Sequence, residues 1–358
     1  MRVLIVKLSA FGDIIHSLPV IDFFRDYAVK KNTEVELHWI IEKRWSPIIR
    51  SHPGIRHIHI TNTLEWRKAH WKRSTRQEIF SCIRDLRKFK YDMAIDINGL
   101  IRSAILARLS KADLRVGFSR DSDICKEKQA TLFLHKTYSV PHIHVVDQTL
   151  QLLAKTFGIK PSDSSEPFLP PIKPAIGEAE IIIKKMGLKP RHFAVVAAGG
   201  GWATKLIREQ SVAEICDFIS GYGIRPVLSW AGISEEERAK DIAALTRFEI
   251  SQLGNTPVDV FLEILRMSRL VIGPDTGAVH AGSAVKAPTI CYFGPSSQDY
   301  SGPRRETDIT IQLSPPCGPC FKRQCEKGLC RYLDVKRILE AIERQLSELK
   351  TYLISEEG

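Results

Sequence analysis

The chain has 358 residues, 44% of them hydrophobic and 26% charged, which is too long for one ordinary core and suits two domains of about 150 residues each. A formal net charge of +11 calls for an anionic partner: nucleic acid, a nucleotide, a phosphorylated acceptor or an anionic membrane surface. No apolar run approaches the roughly 20 residues of a membrane span, no recognised nucleic-acid motif is present, and the start MRVLIVKLSAFGD lacks the length and cleavage site of a signal peptide, so a cytoplasmic protein that binds no nucleic acid is expected.

In chain order, the first half alternates apolar runs with helical patterns: RVLIVK, VIDFFRDYAVKK, VELHWII, IRHIHI, a long basic helix and YDMAIDIN. Strands alternating with helices at this spacing indicate a parallel sheet wrapped by helices. The proline- and serine-rich stretch 160–174 reads as a linker. The pattern then restarts with HFAVVAAGGG, a helix around 212–222, RPVLSWAG, a helix near 235–245, FEISQLG, a helix near 258–267, RLVIGPD and PTICYFG. The expected architecture is α/β: two Rossmann-like, doubly wound domains over 1–165 and 166–335 facing a cleft, followed by a helix and tail over 336–358. Ligands of such sheets bind beyond the carboxyl ends of the strands.

At the end of the first strand, Asp13 falls in the first turn of a helix, where it serves equally well as a cap or as a general base, and His16 follows on the same face. Between Trp66 and Lys90 basic residues dominate, among them Arg67, Lys68, Lys72 and Arg73; this is either a solvated helix face or, given Trp66 and Trp71, a surface that meets an amphipathic anion. In the second half, Gly200 and Gly201 follow a strand and precede Lys205; the glycines make a tight turn or, with the lysine, receive a departing diphosphate. Glu235 is a helix-start carboxylate or an acceptor for ribose hydroxyls. The run DTGAVHAGSA puts Thr276 and Gly277 at a helix start with exposed amides, a ready pyrophosphate site, and His280 one turn on is either a core histidine or part of that site. Ser296 and Ser297, in YFGPSS, add candidate hydroxyl donors. Of eight cysteines, Cys317, Cys320, Cys325 and Cys330 are spaced C-x2-C-x4-C-x4-C, a structural zinc site or reduced thiols that organise a loop.

The ordered motifs RVLIVKLSAFGDIIHSLP, YDMAIDINGLIRSA, WAGISEEERAK, GPDTGAVHAGSAVKAPTICYFGPS and CGPCFKR together resemble glycosyltransferase family nine, the lipopolysaccharide heptosyltransferases, over nearly the whole chain. The resemblance implies a GT-B fold and an inverting enzyme without a cofactor or catalytic metal. It would move heptose from ADP-L-glycero-D-manno-heptose to the phosphorylated, lipid-linked inner core (Kdo-lipid A or heptosyl-Kdo), as a peripheral protein on the anionic inner face of the inner membrane. It makes Asp13 the base and gives Lys205 the diphosphate. Asp275 would contact the heptose, Thr276 and Gly277 the phosphates with His280 in support, and Glu235 the ribose. Trp66, Arg67, Lys68, Lys72, Arg73 and Lys126 would meet the acceptor. Gly200 and Gly201 stand where first-type members carry hydroxyl residues, so their backbone amides would replace those contacts, whereas CGPCFKRQCEKGLC is closer to second-type members. Another GT-B transferase with a different nucleotide sugar or acceptor, or a nucleotide-binding protein without catalysis, are the competing expectations.

Overall fold

The computed structural model describes residues 1–160 and 166–356. The chain divides into two compact units, Met1–Pro170 and Pro171–Gly358. Of the expected linker, residues 161–165 lie outside the described residues; its last part enters the helix Lys173–Lys185, with Pro174 in the first turn where a missing N–H costs nothing. The C-terminal helix Lys336–Glu356 belongs to the second unit, and its Ile338, Ile342 and Leu346 complete that unit's core.

The first unit holds β1 (Arg2–Val6), β2 (Glu36–Glu42), β3 (His57–Thr61), β4 (Met93–Asp96), β5 (Leu114–Phe118) and β6 (Lys136–Tyr138) in the order β3-β2-β1-β4-β5-β6. The second holds β7 (Phe193–Ala197), β8 (Arg225–Trp230), β9 (Ser251–Gly254), β10 (Leu270–Pro274), β11 (Thr289–Phe293) and β12 (Asp308–Gln312), ordered β12-β11-β10-β7-β8-β9. Every pairing is parallel. Central strands such as FAVVA and TICYF are buried throughout, which is why they read as unbroken apolar runs rather than alternating ones. Each sheet is the doubly wound type, and its order reverses between the first strand of the unit and the fourth, β1 and β4 or β7 and β10. Residues just past those four strands therefore border each unit's ligand crevice.

The sequence pattern passes over β5, β6 and β12. β6 is three polar residues at one edge, and β12 is an edge strand with one buried position, so neither carries the apolar signal of a central strand. The basic segment forms two helices, Thr63–Ala69 and Arg73–Leu86, rather than one long helix.

Candidate active site

In the second unit the loop after β7 and the turn after β10 meet on Asp275. Lys205 donates from Nζ to Asp275 Oδ2 at 2.6 Å and to its backbone oxygen at 2.8 Å. His280 Nε2 lies 2.8 Å from Asp275 Oδ1, and the Ser301 hydroxyl donates to the same oxygen at 3.3 Å. Burial alone would raise the Asp275 carboxyl; the His280 hydrogen bond and the charges of His280 and Lys205 outweigh it and hold the group well below the usual carboxylate range. The Lys205 ammonium also sits 4.4 Å from the centre of the Trp202 ring, with the Arg323 guanidinium 5.1 Å from the same ring. The ammonium is thus held in one place at a strand end, paired with the Asp275 carboxylate.

Around it, Thr276 is the N-cap of the helix Gly277–Ala284, with His280 in that helix. The Thr276 and Ser296 hydroxyl oxygens are buried and make no hydrogen bond among the described residues, so the site keeps polar capacity that a ligand can use. A Cβ at Gly200 would meet Thr276 Cγ2 at 3.0 Å, while Gly201 faces open space. Glu235 accepts the Ala231 N–H at 2.9 Å, and a Cβ at Gly199 would fall 2.0 Å from its carboxyl carbon. A side chain at 199 would push the half-buried Glu235 carboxylate out of the place it occupies. The frame is tied by Arg238, which donates from Nε to the Ala198 oxygen at 2.8 Å and pairs with Glu209. Trp202, Arg238, Ser301 and Arg323 were not singled out by sequence, and Gly199 only as the first of the glycine run 199–201. Each makes a contact distant in the chain.

The cysteine segment braces this site. Cys320 and Phe321 donate their N–H groups to the Pro295 oxygen at 2.9 and 2.8 Å, and the Thr204 hydroxyl donates to the Lys322 oxygen at 2.7 Å. Cys317, Cys320, Cys325 and Cys330 all carry free thiols.

In the first unit Asp13 is half-buried in the first turn of the helix Phe11–Ser17, where its Oδ2 accepts the Ala10 N–H at 3.1 Å. Lys7, at the end of β1, is buried and donates to the Ile97 oxygen at 3.2 Å. Burial pushes its ammonium down, Lys126 adds to that, and Asp13 and Asp96 oppose it, so these four groups share one electrostatic neighbourhood. Asp96, the last residue of β4, accepts the N–H groups of Asn98 at 2.9 Å and Gly99 at 3.3 Å and the Ser103 hydroxyl at 3.0 Å. Burial nevertheless pushes it up to about 6, the neutral donors recovering only part of the cost. Arg102 donates to the Ser9 hydroxyl at 3.0 Å beside the Asp13 loop. Lys7, Asp96 and Arg102 are additions to the sequence-based set. His16 is buried, edge-on to His144 with ring centres 6.1 Å apart.

The expected acceptor segment is split. Arg67, Lys68, Lys72 and Arg73 are exposed, as is Trp71, and Lys68 pairs with Glu65 at 2.8 Å. Trp66 differs from expectation: its indole packs in the core with Leu4, Val6 and Leu86 and donates to Glu78 Oε2 at 2.8 Å. It anchors the segment from beneath and is not part of its outer face.

Two doubly wound α/β units of this order are the fold of the GT-B glycosyltransferases. The family model "Glycosyltransferase family 9 (heptosyltransferase)" matches residues 79–330, and the chain belongs to that family. It is 27% identical over 328 residues to lipopolysaccharide heptosyltransferase 1 of Pseudomonas aeruginosa, covering 91% of this chain and 87% of the relative. With its Escherichia coli K12 counterpart it shares 26% over 309 residues, 84% of this chain and 90% of that one. Among solved structures it is similar to E. coli heptosyltransferase WaaC with ADP-2-deoxy-2-fluoro heptose, at a TM-score of 0.68 and 26% identity over 87% of this chain and 93% of the other. The family 9 glycosyl transferase of Veillonella parvula shares the fold, with a TM-score of 0.78 at 17% identity over 97% of each chain.

Proposed function

We propose that the chain transfers heptose from ADP-heptose, with inversion, to the phosphorylated inner core of lipopolysaccharide, and that it acts as a heptosyltransferase of the first type. The observation that carries this reading is the Lys205–Asp275–His280 cluster, a positive charge held at 2.6 Å by a buried carboxylate at a strand end. The names of the curated relatives, lipopolysaccharide heptosyltransferase 1, support the sugar and the acceptor class. Asp13 takes the proton from the acceptor hydroxyl as its oxygen attacks the anomeric carbon; the bond from that carbon to the ADP oxygen breaks, and the electron pair leaves with ADP. Lys205 and the amides at Thr276 and Gly277 stabilise the charge that collects on the diphosphate. Gly200 and Gly201 give the phosphates backbone contact, Asp275 holds Lys205 and faces the heptose, and Glu235 accepts from the ribose.

Arg67, Lys68, Lys72, Arg73 and Lys126 bind the acceptor's phosphates, and exposed Trp71 rests at the lipid interface on the cytoplasmic face of the inner membrane. No helix among the described residues is long and apolar enough to cross a membrane. The test is ADP release from ADP-heptose with a Kdo-lipid A acceptor, alongside melting curves with ADP, UDP and GDP. ADP alone should raise the melting temperature, and ADP release should require the acceptor. Equal shifts with all three nucleotides, or no acceptor-dependent release, would overturn the assignment.

A further inference from the structure

At the amino ends of the first unit's strands, away from Lys7 and Asp13, sits a polar chain that the proposed transfer does not use. Asp85 Oδ2 lies 2.7 Å from His59 Nδ1, and His59 Nε2 lies 2.6 Å from the Tyr91 hydroxyl. That hydroxyl lies 2.9 Å from His38 Nδ1, and His38 Nε2 lies 2.8 Å from Glu36 Oε1. His38, His59 and Tyr91 are buried. Hydrogen-bond accounting along this chain does not close. Two neutral imidazoles and a phenol supply three protons, one each, for four contacts that end on two acceptor-only carboxylates. If His38 donates to Glu36, Tyr91 must donate to His38 and His59 to Tyr91. His59 Nδ1 then turns a lone pair toward the Asp85 carboxylate. That contact needs a cation, and an imidazolium in this interior carries the desolvation cost of a buried charge.

A third donor is already at hand. His57 Nε2 is a buried nitrogen that makes no hydrogen bond among the described residues and stands 3.5 Å from the same Asp85 oxygen. Among the described residues, His57, His59 and Asp85 are the group whose three ligand atoms lie within 4.8 Å of one another. Ligands about 2.0–2.1 Å from a tetrahedral zinc-class ion stand about 3.3 Å apart, so His57 already has that spacing from Asp85 and His59 needs a small opening. The outer contacts are those a metal site requires: Tyr91 fixes the His59 ring through its far nitrogen, and Lys88 donates to the other Asp85 oxygen at 3.1 Å.

We propose that His57 Nε2, His59 Nδ1 and Asp85 Oδ2 bind one divalent transition-metal ion of the zinc class, with a fourth position left to water. Imidazole ligands set this ion apart from magnesium or calcium. The role is structural, because the ion ties the last turn of the helix Arg73–Leu86 to β3 at the end of the sheet remote from Asp13.

The experiment is titration of the whole purified chain with Co²⁺, read by visible absorption and by melting temperature. The cysteine segment is the rival ligand set, so Cys317→Ser/Cys320→Ser is titrated beside His57→Asn and Asp85→Asn. Expected are one equivalent bound in the parent, d–d bands free of thiolate charge transfer, and a higher melting temperature. All three features should persist in the cysteine variant, and binding should weaken at least tenfold in the other two. His57 is 37% exposed, so His57→Asn tests the site even if Asp85→Asn fails to fold. A charge-transfer spectrum that vanishes with the cysteines, retention of nitrogen–oxygen bands in His57→Asn, or no saturable binding by the folded parent would overturn the proposal.

Discussion

The two sheets share one strand order, and each places a buried aspartate at the carboxyl end of its fourth strand: Asp96 ends β4, and Asp275 follows β10. Their pKa values are shifted in opposite directions. Asp96 receives two N–H groups and a hydroxyl, and burial still pushes it up to about 6. Asp275 suffers comparable burial, yet Lys205 and His280 hold it well below the carboxylate range. Neutral hydrogen bonds recover part of the cost of burying a carboxylate; a cation in contact recovers more than all of it. One slot in the fold thus yields a lasting anion that clamps an ammonium in the second unit, and in the first a carboxyl near its titration point that shapes residues 97–99.

The largest expected effect asks which first-unit carboxylate is the base. A raised pKa is a common mark of a catalytic acid or base, and by that mark alone Asp96 would be chosen. Its oxygens are committed to Asn98, Gly99 and Ser103 inside the protein, whereas Asp13 is only half-buried. Asp13→Asn should lower kcat by about 10²–10⁴-fold and leave the melting temperature and ADP binding near parental, since Asn keeps the Ala10 contact but takes no proton. Near-normal turnover in that variant would move the base elsewhere, and a larger loss in Asp96→Asn would reverse the comparison. Next in size, Lys205→Ala should cost roughly 2–4 kcal/mol of transition-state stabilisation, about 30- to 900-fold in kcat/KM, and weaken ADP binding. It also leaves Asp275 with His280 but no ammonium, so a lower melting temperature should accompany the kinetic loss. Unchanged turnover and ADP affinity would refute the diphosphate role.

The third prediction reads the Asp96 environment through pH. Its folded pKa of about 6 lies above the ordinary 3.8, so between those values the folded state binds more protons than the unfolded one, and this residue makes stability fall as pH rises through that window. Asp96→Asn removes the term. Its stability relative to the parent should improve from pH 4 to pH 7 by an amount on the order of 1–3 kcal/mol. Denaturant melts at both pH values check this, and parallel profiles for the two proteins would mean that Asp96 titrates normally.

What the sequence made legible was the placement of chemistry after strands. Asp13, the glycine run before Lys205 and the DTG turn stand at strand ends, where local spacing alone points. What it hid were contacts between segments distant in the chain. Gly199 lies against Glu235, thirty-odd positions on, and Lys7 looked like the tail of an apolar strand until Asp96 and Lys126 came beside it. In ELHWII and HIHI the histidines sat in apolar runs that read as ordinary strands, and only the pairing of His38 with His57 brings the imidazoles together. Trp66 misled for the converse reason: an indole in a basic run suggests an interface, while its helical position turns it into the core.

The last prediction separates that indole from its neighbour. Trp71 is 63% exposed and Trp66 is 9% exposed, so two tryptophans five positions apart should fail in different ways. Trp66→Ala opens a cavity and abandons Glu78, which should lower stability by about 3–5 kcal/mol with its functional effects following from that. Trp71→Ala should leave the melting curve unchanged and weaken binding to anionic vesicles. Joint replacement of Arg67, Lys68, Lys72 and Arg73 by alanine should raise the acceptor KM by about tenfold at moderate salt, less than four full phosphate contacts would give, because Lys68 is already engaged by Glu65 and exposed charges are screened. The donor Kd should stay constant, and the difference from the parent should shrink as salt is added. Equal loss of donor binding, or a KM shift that ignores salt, would show that the basic face is an ordinary solvated surface and that the acceptor is held elsewhere.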